Sequence, residues 1–280
     1  MSYKTIFVQV DDCADLAARV ESAAAIARAE QARLVLLGIS GITRFIYDTV
    51  AGSPEMPDLD GYLESMRRRA GAALQRAEGI ARQAGVREIE TRIVDDEAGR
   101  AVSAWARYGD LVVVGQPDPA EESSVMEAGF PEYVVMHCGG PVLFMPCRSA
   151  PIRPGGRVLI AWNGAREARR AVNDALPWLR QAGVVQAVIF NAEAELQDLR
   201  DKPQAQALQE YLDSHGIAAE ILLRQASGRV GESLLTLAGE LGAELLVMGC
   251  YGHSRLRELV LGGTSRTVLR SSPIPVLTSH

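Results

Sequence analysis

Aromatic residues are scarce in this sequence of 280 residues, at 5% of the total. A hydrophobic core must therefore be built mainly from Ala, Val, Leu and Ile, and the hydrophobic content of 48% allows one. Charged residues make up 23%, so the composition is that of a globular protein and excludes a disordered or low-complexity chain. The length exceeds the usual size of one domain and predicts two.

The sequence also lacks clustered basic residues, long apolar runs and paired cysteines. A net charge of -6 argues against a nucleic-acid partner, because phosphate contacts need Lys and Arg grouped on one face. No stretch is long enough to span a bilayer, and the first residues carry no signal-peptide pattern, so we expect no membrane partner. The four cysteines form no C-x-x-C pair, which predicts reduced thiols in a cytoplasmic protein and no metal site.

What the sequence does contain is an alternation of short apolar runs and helical patterns that occurs twice. Residues 5–10 predict a strand and residues 16–30 a helix, and after a Pro- and Gly-rich stretch residues 157–162 and 165–180 repeat that pair. The clearest echo lies late in each half, where GDLVVVG at 109–115 aligns with AELLVMG at 243–249. The pattern indicates an internal duplication.

The alternation predicts an α/β fold of two tandem, doubly wound domains, each with a mainly parallel five-stranded sheet. The predicted domains are 1–150 and 151–280. We expect their terminal strands, 142–145 and 276–278, to lie near a pseudo-twofold interface, because strand pairing there would cover two exposed sheet edges. The duplication can thus act as an intramolecular pseudo-dimer, and a further homodimer through outer surfaces stays open.

A glycine-rich segment follows the strand that ends near 249. Gly249 and Gly252 come directly after it, and Gly262 and Gly263 precede a helix that begins near Thr264. Glycines let backbone N–H groups approach an anion, and a helix N-terminus favours phosphate through free N–H groups and its dipole. The alternative interpretation is that these glycines serve only turns and tight packing.

This spacing, Gly249-x2-Gly252-x9-Gly262, resembles the nucleotide-binding signature G-x2-G-x9-G-S/T of the universal stress protein family. The resemblance covers nearly the whole chain, once per half, and is closer in the second half. It implies Rossmann-like domains of the adenine nucleotide alpha hydrolase-like type, a stress-response role, and ATP or a related adenine nucleotide as ligand. The sequence departs from the signature at Gly263, where the family has Ser or Thr, and at Asn163, where it usually has Asp.

The nucleotide is expected in the second domain, with Asn163 at the sugar or base and the hydroxyls of Thr264 and Ser265 at the phosphates. The predicted cofactor-binding residues are Asn163, Gly249, Gly252, Gly262, Gly263, Thr264 and Ser265. Among the intervening residues His253, Arg255 and Arg257 have two interpretations, as contacts to outer phosphates or as an exposed basic face. No catalytic residue and no metal ligand is predicted.

The first half is more degenerate, because the residues after Gly115 contain neither the second glycine nor the later Gly-Ser/Thr. Its acidic strand ends suggest either a carboxylate cluster for a metal or acid/base chemistry, or ordinary loop ends and caps. These residues are Asp11, Asp12, Asp95 and Asp96. Two carboxylates without a phosphate cradle repel a polyphosphate, so this half is interpreted as structural or regulatory.

Three function classes remain after the sequence is analysed. The first is a stress-response or regulatory protein that binds an adenine nucleotide in the second domain. The second is a ligand-free interaction or scaffold protein in which the glycine motif is structural. The third is a hydrolase or nucleotidyl transferase of related architecture, although no nucleophile elbow, P-loop or zinc-protease motif is present.

Overall fold

The computed structural model describes residues 2–42, 59–116, 129–147, 149–190, 204–252 and 263–280. The chain divides into two compact units. The first unit comprises Tyr3–Gly140 with Met145–Pro151, and the second comprises Ile152–His280 with Pro141–Phe144 and Met1–Ser2. Gly262 and residues 253–261, which include part of the predicted signature, lie outside the described residues.

The first unit alternates strands and helices as predicted. Its described elements are β1 (Thr5–Val10), α1 (Leu16–Glu30), β2 (Arg33–Ile39), α2 (Leu59–Gln83), β3 (Ile89–Val94), α3 (Ala98–Ala106), β4 (Leu111–Gly115) and α4 (Phe130–His137). The strands β3, β2, β1 and β4 are neighbours in that order and all pairs are parallel. β1, β2 and β4 are apolar along their length and almost wholly buried, as expected of central parallel strands covered on both faces.

The second unit repeats this order. Its described elements are β5 (Val142–Met145), β6 (Arg157–Ala161), α5 (Arg166–Asp174), α6 (Leu176–Leu179), β7 (Val184–Phe190), α7 (Gln204–Ser214), β8 (Ala219–Arg224), α8 (Val230–Glu240), β9 (Leu245–Gly249), α9 (Thr264–Ser271) and β10 (Val276–Ser279). Strands β8, β7, β6, β9 and β10 are parallel neighbours in that order. The predicted α/β class with a mainly parallel sheet is confirmed.

The two terminal strands pair with each other. β5 runs antiparallel to β10, with Phe144 opposite Val276 and Val142 opposite Thr278. Through this pairing the residues 141–144 group with the second unit. A strand that would otherwise form an exposed edge is therefore covered, which is the reason for which the pairing was predicted.

The observed bounds differ from the prediction at a few helix ends. The helix predicted over 165–180 is divided into α5 and α6, because Pro177 lies in the first turn of α6 and cannot donate the backbone hydrogen bond that a continuous helix needs. The helical pattern over residues 62–83 predicts a helix there, and α2 begins three residues earlier, at Leu59. None of the described helices combines the length and apolar character that crossing a bilayer requires.

The strand order fixes where a ligand can bind in each unit. The chain leaves β1 toward β2 on one side and places β4 on the other, and β6, β7 and β9 have the same relation. In sheets of this kind, the crevice beyond the carboxyl ends of the strands at this reversal is the usual ligand site. The loops after β1 and β4, and after β6 and β9, are therefore the candidate sites.

Candidate functional site

The crevice of the second unit contains a cavity of about 250 Å³. It lies beyond the carboxyl ends of β6, β7 and β9 and is bordered by the first residues of α8 and α9. Its apolar wall comprises Val188, Phe190, Leu234 and Met248. The predicted residues Asn163, Gly249, Gly252, Thr264 and Ser265 also line it. The structure thus brings these five predicted residues together around one space.

Asn163 follows β6 and shapes the start of α5. Its side-chain Oδ1 accepts a hydrogen bond from the backbone N–H of Ala165 at 3.1 Å, a local turn that suits Asn or Asp. The residue is exposed, and its Nδ2 group is the half of the amide not used in this turn. A donor at this position suits an acceptor atom of a sugar or a base.

The close approach of the α5 backbone requires Gly249, and the Glu167 side chain lies against Gly252. A Cβ atom at Gly249 would collide with the backbone of Glu167 and Ala168, and one at Gly252 would collide with the carboxylate of Glu167. The first turn of α5 therefore packs directly on the loop after β9. This contact supports the interpretation that the glycines serve tight packing. Both glycines also line the cavity, so the anion-binding interpretation stays open.

The loop after β9 is tied to the start of α9. The backbone N–H of Tyr251, whose φ of 58° lies in the left-handed region, donates to Oγ of Ser265 at 3.2 Å. Ser265 is only 3% exposed. Its hydroxyl oxygen is thus engaged as an acceptor, but the hydroxyl hydrogen can still be donated to an anion.

Helix α9 opens toward the cavity through Thr264, its first residue. Gly263 stands at the N-cap and, having no side chain, provides no capping hydrogen bond to the first-turn N–H groups. A bound anion can supply this missing acceptor. Gly262 and the basic residues His253, Arg255 and Arg257 lie outside the described residues, so their predicted roles stay predictions.

Trp162 contributes a polar atom that the sequence analysis did not single out. It lines the cavity, and its indole nitrogen is buried with no hydrogen-bond partner among the described residues. Burying an N–H group without an acceptor is costly. Trp162 thus combines a place in the cavity lining with a buried polar atom that solvent does not reach.

Glu167 is a second residue that the sequence analysis missed. It lies in the first turn of α5, is 3% exposed and contacts Gly252. Burial opposes its ionisation, but hydrogen bonds from Arg166 and from its own backbone N–H outweigh burial and lower the pKa of the carboxyl. Acidic residues are common at helix starts and are mostly exposed there, so the sequence does not indicate that this carboxylate is buried.

The carboxyl ends of the strands in the first unit carry an internal ion cluster, beside a cavity of about 190 Å³ that Asp11 and Asp12 also line. The Arg19 guanidinium donates to Asp11 Oδ2 at 3.1 Å and to Asp15 at 2.9 Å, and the three side chains are at most 3% exposed. Gln9 links the cluster to β4, because its Nε2 donates to Asp11 and its Oε1 accepts from the Gly115 N–H. These contacts hold Arg19 against Gly115, where a Cβ atom would collide with the guanidinium.

The acidic residues of the first unit form structural pairs. Arg69 donates to Asp12 at 2.5 Å, and Arg67 donates to Asp95 at 2.6 Å. Asp96 accepts a hydrogen bond from the Glu97 backbone N–H at 2.8 Å. These contacts match the predicted alternative of loop ends and caps.

Asp11, Cys13 and Asp15 place three potential metal ligands within 4.8 Å of one another. The Arg19 guanidinium already donates hydrogen bonds to both carboxylates. Burial, followed by the charge of Asp11, raises the pKa of the Cys13 thiol to about 12, so the thiol is protonated at neutral pH. A protonated thiol beside a guanidinium is a poor metal site.

The fold and the site together define the class of this chain: two Rossmann-like α/β units of the same strand order, with a glycine loop at the reversal point of the second. Residues 156–280 match the model of the Universal stress protein family. The resemblance found in the sequence is therefore confirmed: the chain is UspA-like, and the family model matches its second half.

A curated relative and several solved structures are similar to this chain. Universal stress protein Slr1230 of Synechocystis is 39% identical over 70 residues, a segment that covers 25% of this chain and 24% of the relative. A universal stress protein from Archaeoglobus fulgidus has a TM-score of 0.74 at 17% identity and covers 98% of this chain and 97% of its own.

A functionally unknown protein, PA1789 of Pseudomonas aeruginosa, has a TM-score of 0.62 at 17% identity. It covers 99% of this chain and 92% of its own. At such identities these two structures show the fold alone. Both extend over the two units, in agreement with the tandem arrangement predicted from the repeat.

Proposed function

We propose that this chain is a regulatory or stress-response protein that binds an adenine nucleotide in the domain formed by residues 151–280. The observation that carries the proposal is the cavity beyond β6, β7 and β9, which the glycine loop and the start of α9 border. The family match in this half supports a stress-related role. A cytoplasmic location, predicted from the spacing of the four cysteines, is part of the proposal.

The lining of the cavity suits the parts of a nucleotide. Val188, Leu234 and Met248 form an apolar surface on which a flat base can pack. Trp162 adds an aromatic side chain to the same lining. At the other end, Thr264 and the uncapped start of α9 suit a phosphate. ATP or a related adenine nucleotide is therefore the proposed ligand.

A ligand-free scaffold is the second candidate, and one observation favours it. Gly249 is needed for the packing of α5 whether or not a ligand binds. The glycine motif alone therefore does not decide between the two functions. Any hydrolysis of bound nucleotide would be a third function, and the described residues provide no paired nucleophile and base at the cavity for it.

Binding and its location are tested with one set of proteins. Calorimetric titration with adenosine, AMP and ATP measures affinity, and we expect saturable binding of at least one of them below millimolar concentration. A variant that keeps only Trp162 (Trp105→Phe, Trp178→Phe) should change fluorescence on binding, because adenine stacks near its indole. The control that keeps only Trp105 (Trp162→Phe, Trp178→Phe) should not change.

Two results would overturn the proposal. If none of the three compounds binds at millimolar concentration, the scaffold function replaces it. If binding occurs but changes the fluorescence of Trp105 alone, the ligand lies outside the proposed cavity. Incubation of ATP with the protein, followed by chromatography of the nucleotides, tests separately for hydrolysis.

A further inference from the structure

The buried carboxylate of Glu167 lies on the protein side of the glycine loop that borders the candidate cavity. Its Oε2 atom is so close to Gly252 that no Cβ atom fits between them. Gly252 and Gly249 form the cavity border on the other side of this contact. A phosphate that approached the glycines would therefore meet a fixed negative charge just behind them.

The charge of Glu167 is only weakly compensated. Its ion-pair partner is Arg166, whose side chain is 88% exposed, so solvent screens the pair. The pKa of Glu167 is lowered despite burial, so the carboxylate is ionised at neutral pH. In the first unit the corresponding acid, Asp15, is instead paired with the fully buried Arg19.

Three helices, α5, α8 and α9, begin near the cavity, and α5 and α8 each have an acid in the first turn, Glu167 and Glu232 respectively. The Glu167 carboxylate interacts with its own backbone N–H, so the dipole of α5 already has an anion. The start of α9 at Thr264 carries no such acid in its first turn. One helix end therefore remains for a ligand phosphate.

We infer that Glu167 is a specificity-determining residue that makes the second-domain site favour a nucleoside or nucleoside monophosphate over a triphosphate. The inference rests on the proposed nucleotide site. One phosphate can use the start of α9, whereas each further phosphate adds like charge beside the glycines and Glu167. The site then selects ligands by phosphate count.

Titration of adenosine, AMP and ATP into wild type and Glu167→Gln, in buffer with EDTA to exclude divalent cations, tests the inference. The amide keeps the size of the side chain and removes its charge. We expect ATP to bind Glu167→Gln about tenfold more tightly than wild type, and adenosine to change by less than about twofold. AMP should show an intermediate gain.

Glu240→Gln is the matched control, because Glu240 is an exposed acid at the far end of α8 and its loss changes the net charge equally. It should leave all three affinities unchanged. If ATP gains equally in both variants, or gains in neither while adenosine binds, the inference is wrong and the proposed site stands. If no ligand binds any of the proteins, the proposed function itself fails. A thermal melt of each variant confirms that it is folded.

Discussion

The two units place different chemistry at the same point of the same fold. Strand pairing sets the correspondence: Ile6 pairs with Leu111 as Val158 pairs with Leu245, so Arg19 corresponds to Ala171 along the two chains. In the first unit the Arg19 guanidinium lies against Gly115 at the end of β4, whereas in the second unit the fully buried methyl group of Ala171 stands at this position.

The first unit therefore has a buried charge at a position where the second unit has a small apolar side chain. A fully buried charge is tolerated only when it is paired, and Arg19 has two carboxylates as partners. Their charges raise the pKa of the guanidinium further, although burial acts against it. The first unit thus holds a buried cation through internal contacts at a position where the second unit has a buried methyl group.

The largest expected effect is the loss of the buried cation. Arg19→Met leaves Asp11 and Asp15 buried and unpaired and should lower the free energy of unfolding of the first unit by about 3–5 kcal/mol. Urea unfolding followed by Trp105 fluorescence, in a background with Trp162→Phe and Trp178→Phe, measures it. The control is Arg68→Met, which breaks an exposed pair with Glu64 and should cost less than about 1 kcal/mol.

A further variant sharpens the same test. Replacing the two acids as well, with Asp11→Leu and Asp15→Leu, removes the uncompensated charges and should recover most of the lost stability. Equal losses for Arg19→Met and Arg68→Met would show that the cluster does not carry the stability of the first unit. Failure of the triple variant to recover would show that the shape of the cluster, and not its charge balance, is what matters.

The next effect concerns the glycines that end β4 and β9. Gly249→Ala should lower the free energy of unfolding of the second unit by about 1–3 kcal/mol, because the new methyl group meets the backbone of α5 and cannot displace it cheaply. Gly115→Ala meets the Arg19 side chain instead. Urea unfolding measures both, with the tryptophans of each unit as reporters.

The double variant Arg19→Ala with Gly115→Ala distinguishes the two glycines. Once the guanidinium is gone, the methyl group at residue 115 has space, so Gly115→Ala should add less than about 0.5 kcal/mol in that background. An undiminished cost there would mean that the backbone of β4, and not Arg19, requires the glycine. That result would contradict the conclusion that Arg19 determines the need for glycine at residue 115.

Much of the fold could be predicted from the sequence, because central parallel strands are short, continuous apolar runs. The strands predicted over residues 5–10 and 142–145 are observed as β1 and β5. The division of the helix predicted over 165–180 could also have been predicted, because Pro177 has no backbone N–H group to donate within a helix. The site was partly predictable as well, since glycine spacing after a strand is a local signal.

What could not be predicted depends on packing between distant segments. Arg19 lies within an Ala-rich helical pattern, where a lone arginine usually faces solvent, and its burial depends on Gln9 and Gly115. The burial of Glu167 could not be predicted for the same reason. Its side chain lies against Gly252 only because α5 packs on a loop more than eighty residues later in the sequence. Neither contact leaves a periodic signal.

The smallest expected effect lies at the exposed ion pairs of the first unit, which have the same chemistry as the Arg19 cluster without its burial. A hydrogen bond from Arg69 lowers the pKa of Asp12 below its usual 3.8, with burial acting in the opposite direction. The side chains are 60% and 43% exposed, so solvent screening should keep the contribution below about 1 kcal/mol. Because the folded-state pKa is the lower one, this stabilisation is present above pH 3.8 and is lost as the pH falls through the folded value.

The free energies of unfolding of wild type and Asp12→Asn should therefore differ slightly at pH 7 and not at all in strong acid, and the pH 7 difference should shrink in 1 M salt. A difference above about 2 kcal/mol, or one that persists in strong acid, would show that exposure does not separate this pair from the buried cluster.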